Sequence, residues 1–116
     1  MIDRVVPSIC PRYHQAVELV GRRWAGAIIQ ALLGGRARYG ALREAIPDIS
    51  DRMLSERLRE LEAEGIVTHH VAADIPVRVE YELTEKGRDL ERALKAVAAW
   101  AEQWIPVPPV VKTRGA

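Results

Sequence analysis

The chain has a single cysteine, Cys10. No disulfide can form within it, and a reducing, cytoplasmic setting is expected. No apolar run approaches the roughly 20 residues needed to span a bilayer, so no membrane segment is expected. No basic-then-apolar leader opens the sequence, which argues against a signal peptide. No self-similarity appears at a period of roughly 20–50 residues, which excludes repeat architectures. Charge of one sign is also missing. The formal net charge is +1, so bulk electrostatics alone do not point to nucleic acid. There is no glycine-rich phosphate loop and no nucleophile elbow, so neither catalysis nor a cofactor is expected. Three histidines raise the question of a metal. His69 and His70 are adjacent in a strand-like stretch and point to opposite faces, and His14 is distant, so no metal site is expected.

What is present is a globular composition, 48% hydrophobic and 28% charged over 116 residues. That suits one domain with a real core. Charge is uneven along it. Residues 34–59 carry six arginines against four acids, whereas residues 80–104 carry four basic residues against six acids. An irregular, proline-containing N-terminal arm is expected over 1–12, a folded domain over 13–104, and a disordered, proline-rich tail over 105–116. Within the domain Tyr13, Val17, Val20 and Trp24 recur at helical spacing. Gly21 should divide this run into two helices, the second presenting Trp24, Ile28, Ala31 and Leu32 and ending at Gly34-Gly35. A short helix follows, with Tyr39, Leu42, Ala45 and Ile46 inward, and Pro47 ends it.

Residues 50–65, SDRMLSERLRELEAEG, read as a helix signalled at both ends. Ser50 is the N-cap, and Asp51 suits the positive end of the dipole. Ile49 and Leu54 stand at hydrophobic-staple positions. Gly65 suits a left-handed terminator, with Ile66 folding back on Leu61. Leu54, Leu58 and Leu61 share one face, and Arg52, Glu56 and Arg59 lie opposite. A short helix, a tight turn and a helix with an exposed basic face form a helix-turn-helix layout. The period then changes to two. Residues 66–71 and the alternating Val77, Val79, Tyr81 and Leu83 predict a two-stranded hairpin, a wing. Thr84 can cap a last helix, on which Leu90, Leu94, Val97, Ala101 and Trp104 step four, three, four, three. This stripe, widened by Ala93 and Trp100, is broad enough that part of it is expected to face a partner. The fold class expected is mainly α with a small β-hairpin.

Several motifs come in order along this scaffold. They are Cys10-Pro11, Gly21-Arg22-Arg23-Trp24, Arg38 and Tyr39 before Leu42, Ile49-Ser50 before Met53-Leu54, and Leu58-Arg59-Glu60-Leu61-Glu62. Gly65, then Val79 through Thr84, and Gly87 complete the set. Together they resemble the HxlR-type winged helix-turn-helix regulators of bacteria, from Cys10 to about Trp104. Two departures stand out: Arg22 where the family often has glycine, and His69, His70 and Val71 where the first wing strand often carries an arginine and an aromatic. The resemblance implies a transcriptional regulator that binds double-stranded DNA as a homodimer. It would dimerise through its N- and C-terminal helices and read a pseudo-palindromic operator. It also implies responsiveness, in some members, to oxidants, electrophiles or a small ligand through an N-terminal cysteine. The alternative is a winged-helix protein-interaction module without DNA binding.

On this reading the candidate DNA contacts are Arg36, Arg38, Tyr39, Ser50, Arg52, Met53, Ser55, Glu56, Arg59 and Arg78. Arginine pairs bidentately with guanine, and serine serves several bases. Glu56 could accept from a cytosine amine or simply hold Arg52 or Arg59 through a helix-neighbour pair. Arg36 and Arg38 suit phosphates at the start of a helix, and Arg78 suits a phosphate from the wing. Tyr39 has plain core packing as an equal alternative. Cys10 is the redox-sensing candidate, with an inert interface thiol as its alternative. The dimer-interface candidates are Tyr13, Val17, Leu94, Val97, Trp100, Ala101 and Trp104.

Overall fold

The computed structural model describes residues 3–73 and 75–107. The elements are α1 (Pro11–Val20), α2 (Ala25–Leu32), β1 (Ala37–Arg38), α3 (Tyr39–Ala45), α4 (Asp51–Ala63), β2 (Val67–Ala72), β3 (Arg78–Leu83), α5 (Glu85–Arg88) and α6 (Glu91–Trp104). Three antiparallel strands lie in the order β1-β3-β2. The core is formed by Ile28, Ile29 and Leu32 of α2, Leu42 and Ile46 of α3, and Leu54, Leu58 and Leu61 of α4, closed by Ile49, Ile66, Val67 and Leu83. Each such side chain contributes about 1.5–3 kcal/mol by leaving water. This is a winged helix-turn-helix, with α3 and α4 as the helix pair and β2–β3 as the wing.

Helix α4 is terminated as its ends dictate. The Ser50 hydroxyl accepts from the Met53 amide at 3.0 Å. Gly65 adopts φ +76°, and the Ile66 amide donates back to the Leu61 carbonyl at 2.9 Å while Gly65 donates to Glu62 at 3.0 Å. These two bonds form a Schellman closure, which needs a left-handed residue at Gly65. The turn between α3 and α4 also needs one, and Asp48 supplies it at φ 74°. A short polar side chain tolerates that region better than most.

The structure departs from the sequence expectations in six places. Helix α1 starts at Pro11, not at Tyr13, because proline is pre-organised for the first helical position. Residues 37–38, expected only to lead into a helix, form a third strand, with Ala37 opposite Tyr81 and Arg38 opposite Glu80. Ala45, expected inward, is exposed, and Val77 precedes the strand with its side chain largely in water. β3 does not alternate in burial, because its outer face is covered too: Glu80 and Glu82 lie under Arg36, His70 and Arg88. The last helix is broken after Arg88. Thr84 caps α5 through the Gly87 amide, then Leu90 donates to Gly87 at 3.1 Å in a tighter turn before α6 begins. Gly87 sits so close to the wing that a Cβ there would overlap the Ile66 carbonyl oxygen. The expected tail falls mostly outside the described residues.

Candidate DNA-binding surface

The front of α4 is set by its neighbours. The Tyr39 hydroxyl, at the start of α3, lies 2.9 Å from the Asp51 carbonyl, 3.4 Å from Asp51 Oδ1 and 3.1 Å from Ser55 Oγ. At the other end of α3, Arg43 Nε donates to Asp51 Oδ1 at 2.6 Å and its Nη1 donates to the Ile49 carbonyl at 3.1 Å. Both shifts in this pair agree. The hydrogen bond from Arg43 holds the Asp51 carboxyl below the usual carboxylate range, and the same contact raises Arg43. The turn of the motif is therefore tied from both ends of α3.

From the back, Arg57 Nε donates to the Arg23 carbonyl at 2.8 Å, and its Nη1 meets Glu60 at 3.0 Å. Arg22 reaches the same Glu60 oxygen at 3.1 Å. These bonds fix α4 against the link between α1 and α2. Trp24 caps α2 there in a left-handed conformation, with the Arg23 guanidinium over its ring at 5.0 Å. On the wing side, His69 Nδ1 lies 2.8 Å from Glu62 Oε2, joining β2 to the end of α4. Ser55, Arg59, Glu62, His69, Val71, Val79 and Tyr81 line the groove between helix and wing. Burial raises the Tyr81 phenol, helped by the Glu62 charge.

With α4 gripped on three sides, its front remains open. Arg52 and Arg59 are exposed and Glu56 is half-exposed. Among the described residues none of the three has an ion pair or side-chain hydrogen bond, so Glu56 does not hold either arginine. The other candidates separate. Ser55 is half-buried beside Tyr39. Ser50 is committed to its cap. Met53 packs against the core edge. Tyr39 is a strut between α3 and α4 as much as a surface group. Arg36 is drawn to the outer face of the sheet, 3.5 Å from Glu80 and 3.3 Å from Glu82. There the Glu82 carboxyl is lowered, first by its hydrogen bond to His70 and also by Arg36. Arg38 is exposed and forms a shallow cleft with Ile75, Pro76 and Arg78 at the wing loop. Sequence reading missed Arg43, Asp51 and Glu60 as struts. Apart from the Arg57–Glu60 pair, three residues apart on α4, their partners lie on other elements, where no local spacing reveals them.

A second surface lies on the terminal helices. Neither α1 nor α6 contains a fully buried residue. Tyr13 and Val17 of α1 are exposed, as are Val97, Trp100 and Trp104 of α6. Ala101 is half-buried, and Leu94 packs against the core. Leu94, counted in the same stripe, is half-buried in the single chain. Cys10 is exposed and caps α1, its carbonyl accepting from the His14 amide at 3.0 Å.

The profile of the HxlR-like helix-turn-helix family matches residues 19–108. The chain belongs to that family. The HTH-type transcriptional regulator YvaP of Bacillus subtilis is 44% identical over 98 residues, covering 84% of this chain and 91% of YvaP. The reduced form of the B. subtilis transcriptional regulator YodB superposes with a TM-score of 0.76 at 44% identity, covering 84% of this chain and 96% of that one. The redox regulator HypR in its oxidised form gives 0.78 at 38% identity, covering 84% of this chain and all of that one (100%). Membership makes the protein a DNA-binding transcriptional regulator and not an enzyme. It also decides against a winged-helix module that never meets DNA. Among the described residues no helix is long and apolar enough to cross a membrane.

Proposed function

We propose that the protein works in the cytoplasm as a homodimer, with α4 of each copy in successive major grooves of a pseudo-palindromic operator. The observation that carries this is the open front of α4: two exposed arginines without internal partners among the described residues, on a helix capped and braced from three sides. Arg52 and Arg59 would reach base edges or phosphates, and Arg38 and Arg78 would contact backbone beside the wing. The outward stripe of Tyr13, Val17, Val97, Trp100, Ala101 and Trp104 would supply the two-fold contact. Half-sites would then lie roughly 34 Å apart along the duplex.

A gel shift on the fragment upstream of the protein's own coding region, run across a salt series, tests this. Affinity should fall steeply with salt as phosphate contacts release counterions. Arg52→Ala and Arg59→Ala should each weaken specific binding by roughly 1–3 kcal/mol. A salt-independent curve, or two neutral substitutions, would refute the assignment of this face.

Responsiveness to oxidants is the second part of the reading. HypR is a redox regulator, and Cys10 is an exposed thiol at the head of α1. With one cysteine per chain, oxidation would join Cys10 to a partner's Cys10 or to a small thiol.

A further inference from the structure

We infer that Tyr39 sets the base preference of Ser55, by taking the only proton of the serine hydroxyl and leaving Ser55 an acceptor toward DNA. The inference rests on α4 entering the major groove and names a determinant of what it selects there.

The reasoning is a proton count. The Tyr39 phenol has one O–H to donate. Two of its three neighbours, the Asp51 carbonyl at 2.9 Å and Asp51 Oδ1 at 3.4 Å, can only accept. The carboxyl is held ionised by the Arg43 hydrogen bond at 2.6 Å, so it has no proton to offer. The phenol proton therefore goes to Asp51. The remaining contact, 3.1 Å to Ser55 Oγ, then requires the serine to donate. Among the described residues Ser55 has no other hydrogen-bond partner, and no carbonyl of its own helix takes its proton.

A free serine hydroxyl is indifferent, because it can donate to a guanine or thymine oxygen or accept from an adenine or cytosine amine. With its proton directed at Tyr39, Ser55 presents lone pairs alone. It is half-buried at the edge of the groove that Arg59 shares. Such a group is satisfied by the exocyclic amine of adenine or cytosine and is repelled by the carbonyl oxygen of guanine or thymine. Tyr39 is thus a positioning residue that acts on sequence choice through Ser55, without itself reaching a base.

Selection of bound sequences from a randomised duplex library tests this, comparing wild type with Tyr39→Phe, Ser55→Ala and the double variant. Wild type should prefer adenine or cytosine at one position of each half-site, by roughly three- to tenfold. Tyr39→Phe keeps the ring and releases the serine proton, so that preference should flatten at that position alone. Ser55→Ala should flatten the same position, and the double variant should equal either single one. A strut that only stabilised the fold would weaken binding to all sequences and leave the profile unchanged. A Tyr39→Phe profile identical to wild type would overturn the inference while leaving DNA recognition by α4 standing. Were Tyr39→Phe not to fold, persistence of the preference in Ser55→Ala would overturn it equally. A wild type that enriches no sequence would bring down both the inference and the reading beneath it.

Discussion

Replacing Trp104 by alanine strips the largest outward group from the end of α6. Trp104 is 64% exposed in the single chain, beside Trp100 at 59% and Val97 at 62%. A tryptophan presents up to about 250 Å², so roughly 160 Å² of Trp104 is left for a partner to cover. At about 25 cal/mol per Å² that is ~4 kcal/mol if fully buried, and a two-fold axis counts it twice. Interfaces return only part of such a sum, because ordering and incomplete burial oppose it. A loss of ~3 kcal/mol is expected, a roughly hundredfold weaker dimer. Sedimentation equilibrium over a concentration series reads that constant, with thermal unfolding alongside. The control is Leu94→Ala. Leu94 packs against the core from the same helix, so its truncation should cost roughly 1–2 kcal/mol of stability. It should move the dimer constant less than Trp104→Ala does. A Trp104→Ala variant that dimerises like wild type would refute the outward-stripe assignment.

Gly87→Ala should destabilise the fold by several kcal/mol in chemical denaturation, or prevent folding, because its Cβ would overlap the Ile66 carbonyl. A neutral result would mean that α5 can lift from the wing without cost. Asp48→Gly should be neutral or stabilising, whereas Asp48→Ala should cost about 1 kcal/mol, since Asp48 occupies φ 74° in the turn; equal melting temperatures would contradict this. Asp51 has a lowered carboxyl in the folded state, chiefly from the Arg43 hydrogen bond. Its contribution is present at neutral pH, above the unfolded value near ~3.9, and is lost as pH falls through the lower folded value. Denaturation of wild type and Asp51→Asn should therefore show a gap at neutral pH that closes in acid, and a pH-independent gap would refute it. Cys10→Ser should remove any effect of a thiol oxidant on DNA release, and an oxidant response that survives the substitution would place sensing elsewhere.

What the sequence disclosed was local in origin. The ends of α4 were legible because Ser50 and Gly65 act within a few residues of themselves, through a cap and a left-handed φ. The wing was legible from its period of two, and the outward stripe of α6 from its heptad-like steps. The rest depended on distant partners. Two residues of β1 are too few to show a period, and only pairing with β3 makes them a strand. The same strand contact turns Arg36 away from a helix start and onto Glu80 and Glu82. The break after α5 follows from how closely Gly87 meets Ile66, which no propensity encodes. The bracing of α4 by Tyr39, Arg43 and Arg57 crosses between elements, which no local pattern encodes. Leu94 and Trp104 share one stripe in the sequence, and only the packing of α6 against the core divides them.

Hydroxyl-radical footprinting of the wild-type protein on an operator it selects tests the central claim most directly. Two protected patches on one face of the duplex, centred about one helical turn apart, are the expected result. Both patches should weaken together in Arg52→Ala and Arg59→Ala. A single patch, or protection that these substitutions leave intact, would contradict paired recognition through α4.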